Sequence, residues 1–293
     1  MRLVWAFNPF DANRKLEQRA VALVKALAGP RDRVEAVYVA SPQEVSLAMA
    51  FDVPAASRFS DYPQQLVAKG LRRLGLKRVQ ATALTEDKLS LTAAARALAL
   101  HAKRTRTDII LVASHARTGV SRLFLGSYAE TLVHLSETDL LVFRETTRVW
   151  KGTPRSLLYA PDLSRDGARG FEKALAHARR WKSALHVVHI PDPAYGIRFD
   201  DQEAWVASYR KQVQKKIDAI ESRLHATGLE GSVVIDAQWA PISDLVLAQA
   251  KRTRADLVLV CAKSGRLAGA MGGSVTRQIL RASVTPVLVI KAG

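Results

Sequence analysis

The chain has 293 residues, 48% of them hydrophobic and 24% charged, which is the balance of a globular protein about two domains long and excludes a disordered one. Forty-four basic against 27 acidic residues leave a net charge of +17, a field that attracts polyanions without specifying a fold. No run of 18 apolar residues marks a membrane span, and the single cysteine, Cys261, excludes an internal disulfide and a cysteine-built zinc site.

The first apolar stretch, from Leu3 to Phe7, is too short for a secretory leader, and no small-residue cleavage site follows it. It reads as a first strand, and the protein as cytoplasmic. Short, often β-branched runs follow at 34–40, 79–84, 109–113 and 140–143, and apolar residues at helical spacing fill 91–102. A polar stretch, 145–154, then ends in the turn signal Gly152-Thr-Pro154. It divides the chain into a first domain at 1–146, a linker at 147–154 and a second domain at 155–293. Strand-like runs resume at 157–160, 185–190, 233–239, 257–261 and 287–290. Helical spacing recurs at 242–250 and through Trp205, Tyr209, Val213, Ile217, Ile220 and Leu224. Short continuous apolar strands alternating with helices imply a parallel sheet covered on both faces, and right-handed crossovers favour a doubly wound layout.

The two halves are copies. Lys103-Arg-Thr-Arg-Thr-Asp-Ile-Ile-Leu-Val112 returns 148 positions later as Lys251-Arg-Thr-Arg-Ala-Asp-Leu-Val-Leu-Val260. Leu3-Val-Trp-Ala-Phe-Asn8 corresponds to Leu157-Leu-Tyr-Ala-Pro-Asp162, Gly126-Ser127 to Gly273-Ser274, and the closing strand at 138–143 to that at 285–290. Four matches in the same order establish a duplication. The expected fold is therefore α/β: two tandem, doubly wound, five-stranded parallel-sheet sandwiches.

In such sheets a ligand binds beyond the carboxyl ends of the strands, where the strand order reverses. Residues after the first and fourth strands of each copy have the first claim on function. After the fourth strand both copies run through a loop to a helix start, where free N–H groups and a partial positive charge suit a phosphate. Each of these residues also has a purely structural reading. Ser127 with Glu130 forms a capping box, Asp162, Ser164 and Asp166 can each cap a helix, and His115 and Arg117 fit a solvated loop. His186 and His189 lie three apart on a strand, so they point to opposite faces and make a poor metal pair. No metal site and no catalytic constellation is expected.

The segment from Asp108 through Ser114-His-Ala-Arg-Thr-Gly to Gly126-Ser-Tyr-Ala-Glu130 resembles the C-terminal signature of the universal stress protein family, and the resemblance extends over both halves. ATP-binding members carry G-x-x-G-x9-G-[ST] in this loop and an Asp at the end of the first strand. The first copy keeps the spacing, but Ala113 and Ala116 stand at the first two glycines and Asn8 at the Asp. The second copy keeps Asp162, but Cys261 and Ser264 replace those glycines and the loop is one residue shorter. Alanine adds a methyl group where the backbone approaches a phosphate. The resemblance implies nucleotide contacts at Asn8, Ala113, Ser114, Ala116, Arg117, Gly126 and Ser127 in the first copy. In the second it implies Ala160, Pro161, Asp162, Val188, Ser264, Gly265, Gly273 and Ser274.

It further implies a stress-response protein that binds ATP or AMP, with Mg if ATP, weakly or in one half only and without efficient catalysis. The first copy is expected to favour phosphate contacts and the second, through Asp162, adenosine contacts. The alternative is a protein-interaction module that binds no nucleotide; a slow ATPase would need a metal-binding carboxylate, for which Asp166 is the nearby candidate. In the family the closing strands pair across a dimer axis. The segments from Leu140 to Phe143 and from Val287 to Ile290 are therefore expected to make an intramolecular pseudo-dimer, or to pair further between chains. Basic residues are spread along the chain without an aromatic-interleaved motif, so neither nucleic acid nor membrane is expected as a partner.

Overall fold

A computed structural model describes residues 1–43, 46, 61–87, 90–114, 127–191, 202–262 and 274–292. The described chain divides into two compact units, 1–152 and 153–292. In the first, strands β1 (Arg2–Ala6), β2 (Arg33–Ala40), β3 (Gln80–Thr85), β4 (Ile109–Ala113) and β5 (Asp139–Phe143) lie in the order β3-β2-β1-β4-β5. Every pairing is parallel. Helices α1 (Arg14–Leu27), α2 (Tyr62–Arg73), α3 (Leu91–Arg104) and α4 (Ser127–Leu135) alternate with these strands. Leu3, Val4, Ile109, Ile110 and Leu111 are fully buried. Consecutive buried residues mean that both faces of the sheet are covered, which is why the strands read as continuous apolar runs.

The second unit repeats this plan with β6 (Ser156–Ala160), β7 (Ala184–His189), β8 (Gly231–Ile235), β9 (Leu257–Ala262) and β10 (Val287–Lys291) in the order β8-β7-β6-β9-β10, again all parallel. Its helices are α5 (Arg165–Trp181), α6 (Gln202–His225), α7 (Ile242–Arg252) and α8 (Ser274–Ala282). In both units the order reverses at the first strand, with β1 between β2 and β4 and β6 between β7 and β9. The crevice at the carboxyl ends of these strands is the ligand position of such sheets.

Two details depart from the sequence pattern. The run at 233–239 was expected as a strand, but β8 ends at Ile235. The Asp236 carboxylate accepts the N–H of Gln238 at 3.3 Å, which turns the chain and leaves Trp239 55% exposed. The stretch 147–154, expected as a linker, is tied down at both ends. Thr147 is 1% exposed, its hydroxyl accepts the Arg144 N–H and its carbonyl accepts Arg19 Nε. At the other end, the Pro154 carbonyl accepts the Ser183 hydroxyl at 2.6 Å.

Candidate functional site

A cavity of about 380 Å³ opens at the carboxyl end of the first sheet. Strands β1, β2 and β4 supply Trp5, Val37, Tyr38 and Val112 to its walls, the loop after β1 supplies Phe7, and α1 supplies Leu16, Glu17 and Ala20. The rim carries Asn8, Asp11, Glu86 and Ser90. The cavity therefore has an apolar interior with a few polar groups converging on it, the usual character of a small-molecule site. Tyr128, in the first turn of α4, also lines it, and burial pushes its phenol pKa upward.

The expected first-copy residues fall at this mouth where the structure describes them. Asn8 and Ala113 line the cavity. Asn8 also accepts the Phe10 N–H at 3.0 Å, so its side chain shapes the turn that follows β1. Ser114 is 1% exposed, and its N–H donates to the Phe143 carbonyl at 2.8 Å, which extends the ladder one residue past β4. Ser127 opens α4, and its carbonyl accepts the Thr131 hydroxyl. Ala116, Arg117 and Gly126 lie outside the described residues.

The cavity's width follows from the length of one loop. Seven residues, 7–13, separate β1 from α1, whereas four, 161–164, separate β6 from α5. In the first unit Asn13 caps α1 by accepting the Leu16 N–H at the end of the long loop. In the second unit Ser164 is the cap and accepts the Gly167 N–H at 3.1 Å. The short loop forces Leu163 into the left-handed region at φ 56° and lays the first turns of α5 on the strand ends. Two glycines permit this approach: a Cβ at Gly170 would collide with the Tyr159 hydroxyl and press on Cys261, and one at Gly167 would strike the Asp162 carboxylate.

The second unit's strand ends are consequently tied to one another. The buried Tyr159 hydroxyl donates to the Gly167 carbonyl at 2.7 Å, and burial, with the nearby Cys261 and Asp162, raises its pKa. The Cys261 thiol faces the Asp166 carbonyl at 3.5 Å. Asp162 Oδ1 accepts the Ser164 N–H at 3.0 Å, repeating the turn that Asn8 makes. His189 donates from Nδ1 to the Pro161 carbonyl (3.0 Å), so in the neutral ring Nε2 accepts from the Tyr209 hydroxyl (2.6 Å). Burial lowers the His189 pKa against that carbonyl's pull, which keeps the ring neutral. Tyr209 stacks on it at 5.8 Å, and Leu163 packs with Val213 and Ile217 of α6.

Among the described residues, the expected second-copy positions lie side by side at the strand ends, with Asp162 exposed. Ala160 ends β6, Pro161 and Asp162 form the turn, and Val188 is fully buried in β7. Ser274 opens α8, and Ser264, Gly265 and Gly273 lie outside the described residues. Sequence reasoning missed Trp5, Tyr38 and Tyr128 as cavity walls. The available signals were the place of Tyr38 near the end of β2 and of Tyr128 immediately after the Gly-Ser pair.

A family model described as "Universal stress protein family" matches residues 2–144 and again 154–291. Among solved structures the chain is similar to a universal stress protein from Archaeoglobus fulgidus DSM 4304, at 16% identity over 99% of this chain and 98% of that chain, with a TM-score of 0.63. It is also similar to a functionally unknown protein from Pseudomonas aeruginosa PAO1, at 14% identity over 99% and 92% of the two chains, with a TM-score of 0.59. At such identities the likeness speaks to the fold. No curated protein matches the chain.

Proposed function

The chain belongs to the universal stress protein family, and on that premise we propose that it is a cytoplasmic stress-response protein that binds one adenine nucleotide per chain, in the first unit, without efficient catalysis. The observation that carries this reading is the unequal pair of strand ends. The long β1–α1 loop leaves a cavity, while the short β6–α5 loop joins Tyr159, Cys261 and Pro161 to their neighbours. Trp5 and Tyr38 offer flat apolar surface to a base, and Asn8 and Ser90 offer hydrogen bonds to a ribose. The volume lies at the small end of ligand sites, roughly 300–1,000 Å³, which suits a nucleoside monophosphate better than a triphosphate. Asp11, Glu17 and Glu86 at the walls weigh the same way, since carboxylates repel added phosphates.

This reading moves the adenosine contacts from Asp162 to the first unit, because Asp162 stands where the first turn of α5 closes on the strand ends and abuts Gly167. The test is native mass spectrometry of the freshly purified chain, followed by calorimetric titration with AMP and with Mg-ATP. One site per chain is expected, with AMP the tighter ligand. Ala113→Leu, which fills the cavity wall, should lower the affinity at least about tenfold, and Asp162→Ala should leave it unchanged. The second reading, a protein-interaction module, draws on Ala113 and Cys261 at the family's glycine positions. Absence of binding up to about millimolar nucleotide would favour it.

A further inference from the structure

The basic residues that look dispersed in the sequence are gathered by the fold. In a parallel sheet every helix runs back to the amino ends of the strands, so the turns that leave the helices share that end. In the first unit these turns carry Arg72, Lys77, Arg78, Arg104 and Arg106, and in the second Arg179, Lys182, Lys251, Arg252 and Arg254, all exposed. In the first unit this end lies opposite the cavity.

The duplicated segment Lys-Arg-Thr-Arg-x-Asp separates into positions that serve the fold and positions that do not. Thr105 and Thr253 close their helices by donating to the carbonyls of His101 and Gln249. Asp108 and Asp256 accept the N–H groups of Arg2 and Arg155 at 2.6 and 2.7 Å, which fixes the starts of β1 and β6. The cations between them have no such work. Arg104, Arg106, Lys251, Arg252 and Arg254 make no side-chain hydrogen bond or ion pair among the described residues. Lys103, paired with Glu137, is the exception.

Two carboxylates at this end of the first unit are turned inward. Asp32 holds the N-terminal amine and the Gly29 N–H, and Glu35 lies buried under Arg2, Thr82 and His101. Asp108, Glu137 and Glu230 remain exposed, so at this end the exposed cations outnumber the exposed carboxylates.

Backbone geometry sharpens the point. Arg106 and Arg254 sit just past their helices at φ 51° and 49°, and Lys182 does the same at φ 55°. Glycine is the residue that takes this conformation without strain. Both copies nevertheless carry arginine there, so the turn fixes the point at which each arginine leaves the backbone. Arginine's planar fork matches phosphate oxygens in pairs. Arginines at fixed points of the backbone suit a polyanion with regularly spaced phosphates better than a fluid lipid surface. We propose that the amino-end pole of each unit docks on the phosphate backbone of duplex nucleic acid without reading its bases. Contacts of this kind position a protein and carry no sequence information.

The experiment is fluorescence anisotropy of the whole protein against labelled DNA and RNA duplexes of about 30 base pairs, from about 50 to 200 mM salt. Affinity is expected to fall linearly on logarithmic axes as salt rises, by about 0.9 in slope for each phosphate neutralised, and to be indifferent to sequence. Arg106→Glu with Arg254→Glu should weaken binding at least about tenfold and flatten the slope. The matched pair Arg14→Glu with Arg165→Glu, at helix starts facing the other end, should stay within about twofold. Arg106→Gly with Arg254→Gly should weaken binding while Tm does not fall, because the backbone strain is removed. Four outcomes would overturn the assignment: no duplex binding at low salt, equal losses from the two charge-reversal pairs, a fall in Tm for the glycine pair, or binding to phosphatidylserine vesicles in place of duplexes.

Discussion

Glu35 shows how one residue can set a property of the whole first unit. Its carboxylate is almost wholly buried, which by itself would push its pKa up. Hydrogen bonds from His101, Thr82 and Arg2, with the His101 charge, overcome burial and hold the pKa at about 2, against an ordinary 4.5. Because the folded value is depressed, the stabilisation is complete above about pH 4.5 and is lost as pH falls toward 2. A shift of this size is worth about 3 kcal/mol. Glu35→Gln should therefore destabilise the protein by a few kcal/mol at neutral pH, and denaturant titrations should show the gap to wild type closing between about pH 4.5 and pH 2. A gap independent of pH would show that the carboxylate's charge is not the source. None of this is legible in sequence, since His101 and Glu35 lie 66 positions apart. By contrast, Asn8 and Ala113, expected from strand position and the family resemblance, line the cavity. Asp162 marks the limit of such reasoning, because the same residue type serves a turn or a ligand according to the length of the loop behind it.

At the scale of elements, the informative contrast is between α1 and α5. Both begin with a capped turn after the first strand of their sheet, and their loops differ by three residues. In α5 the glycines at 167 and 170 cost helix propensity, roughly 1 kcal/mol each against alanine, so tertiary packing must favour them. The reason is the contact with Tyr159 and Cys261. Gly170→Ala should consequently destabilise the protein by about 1–3 kcal/mol through overpacking, even though alanine is the better helix former. Tyr159→Phe removes the hydroxyl that the new methyl strikes, at the expense of its bond to the Gly167 carbonyl. The double variant should then be more stable than the two single losses predict, and thermal melts arranged as a double-mutant cycle would read that coupling. Strict additivity would mean that the helix shifts as a body and the close approach is not the constraint. The strands themselves were legible because burial on both faces makes them continuous apolar runs. β8 was misjudged at its end because an Asx turn at Asp236 stops the ladder while Ala237 and Trp239 continue the apolar pattern. The α5 glycines were legible in principle as a sign of close approach, but what Gly170 approaches depends partly on Cys261, far away along the chain.

Across the molecule, duplication has given two units of one plan and unlike detail. Buried polar positions have diverged together with the mouths. Where the first unit sets Glu35 between Thr82 and His101, the second sets His186 against Ser232 at 2.8 Å, with burial lowering the His186 pKa, and leaves Gln249 Oε1 buried without a partner among the described residues. Each copy has thus been repacked around its own residues, and a change in one need not be repeated in the other. A ligand that enters the first cavity should therefore be felt in that unit alone, because binding stabilises only the state that holds it. Hydrogen exchange at saturating AMP should slow at the ends of β1 and β2 and at the starts of α1 and α3, which carry the cavity walls. Exchange through Tyr159, Gly167 and the start of α5 should be unaltered. Protection appearing at β6 and α5 would mean that the short loop opens to admit a ligand, and the site would then have to be assigned to both copies.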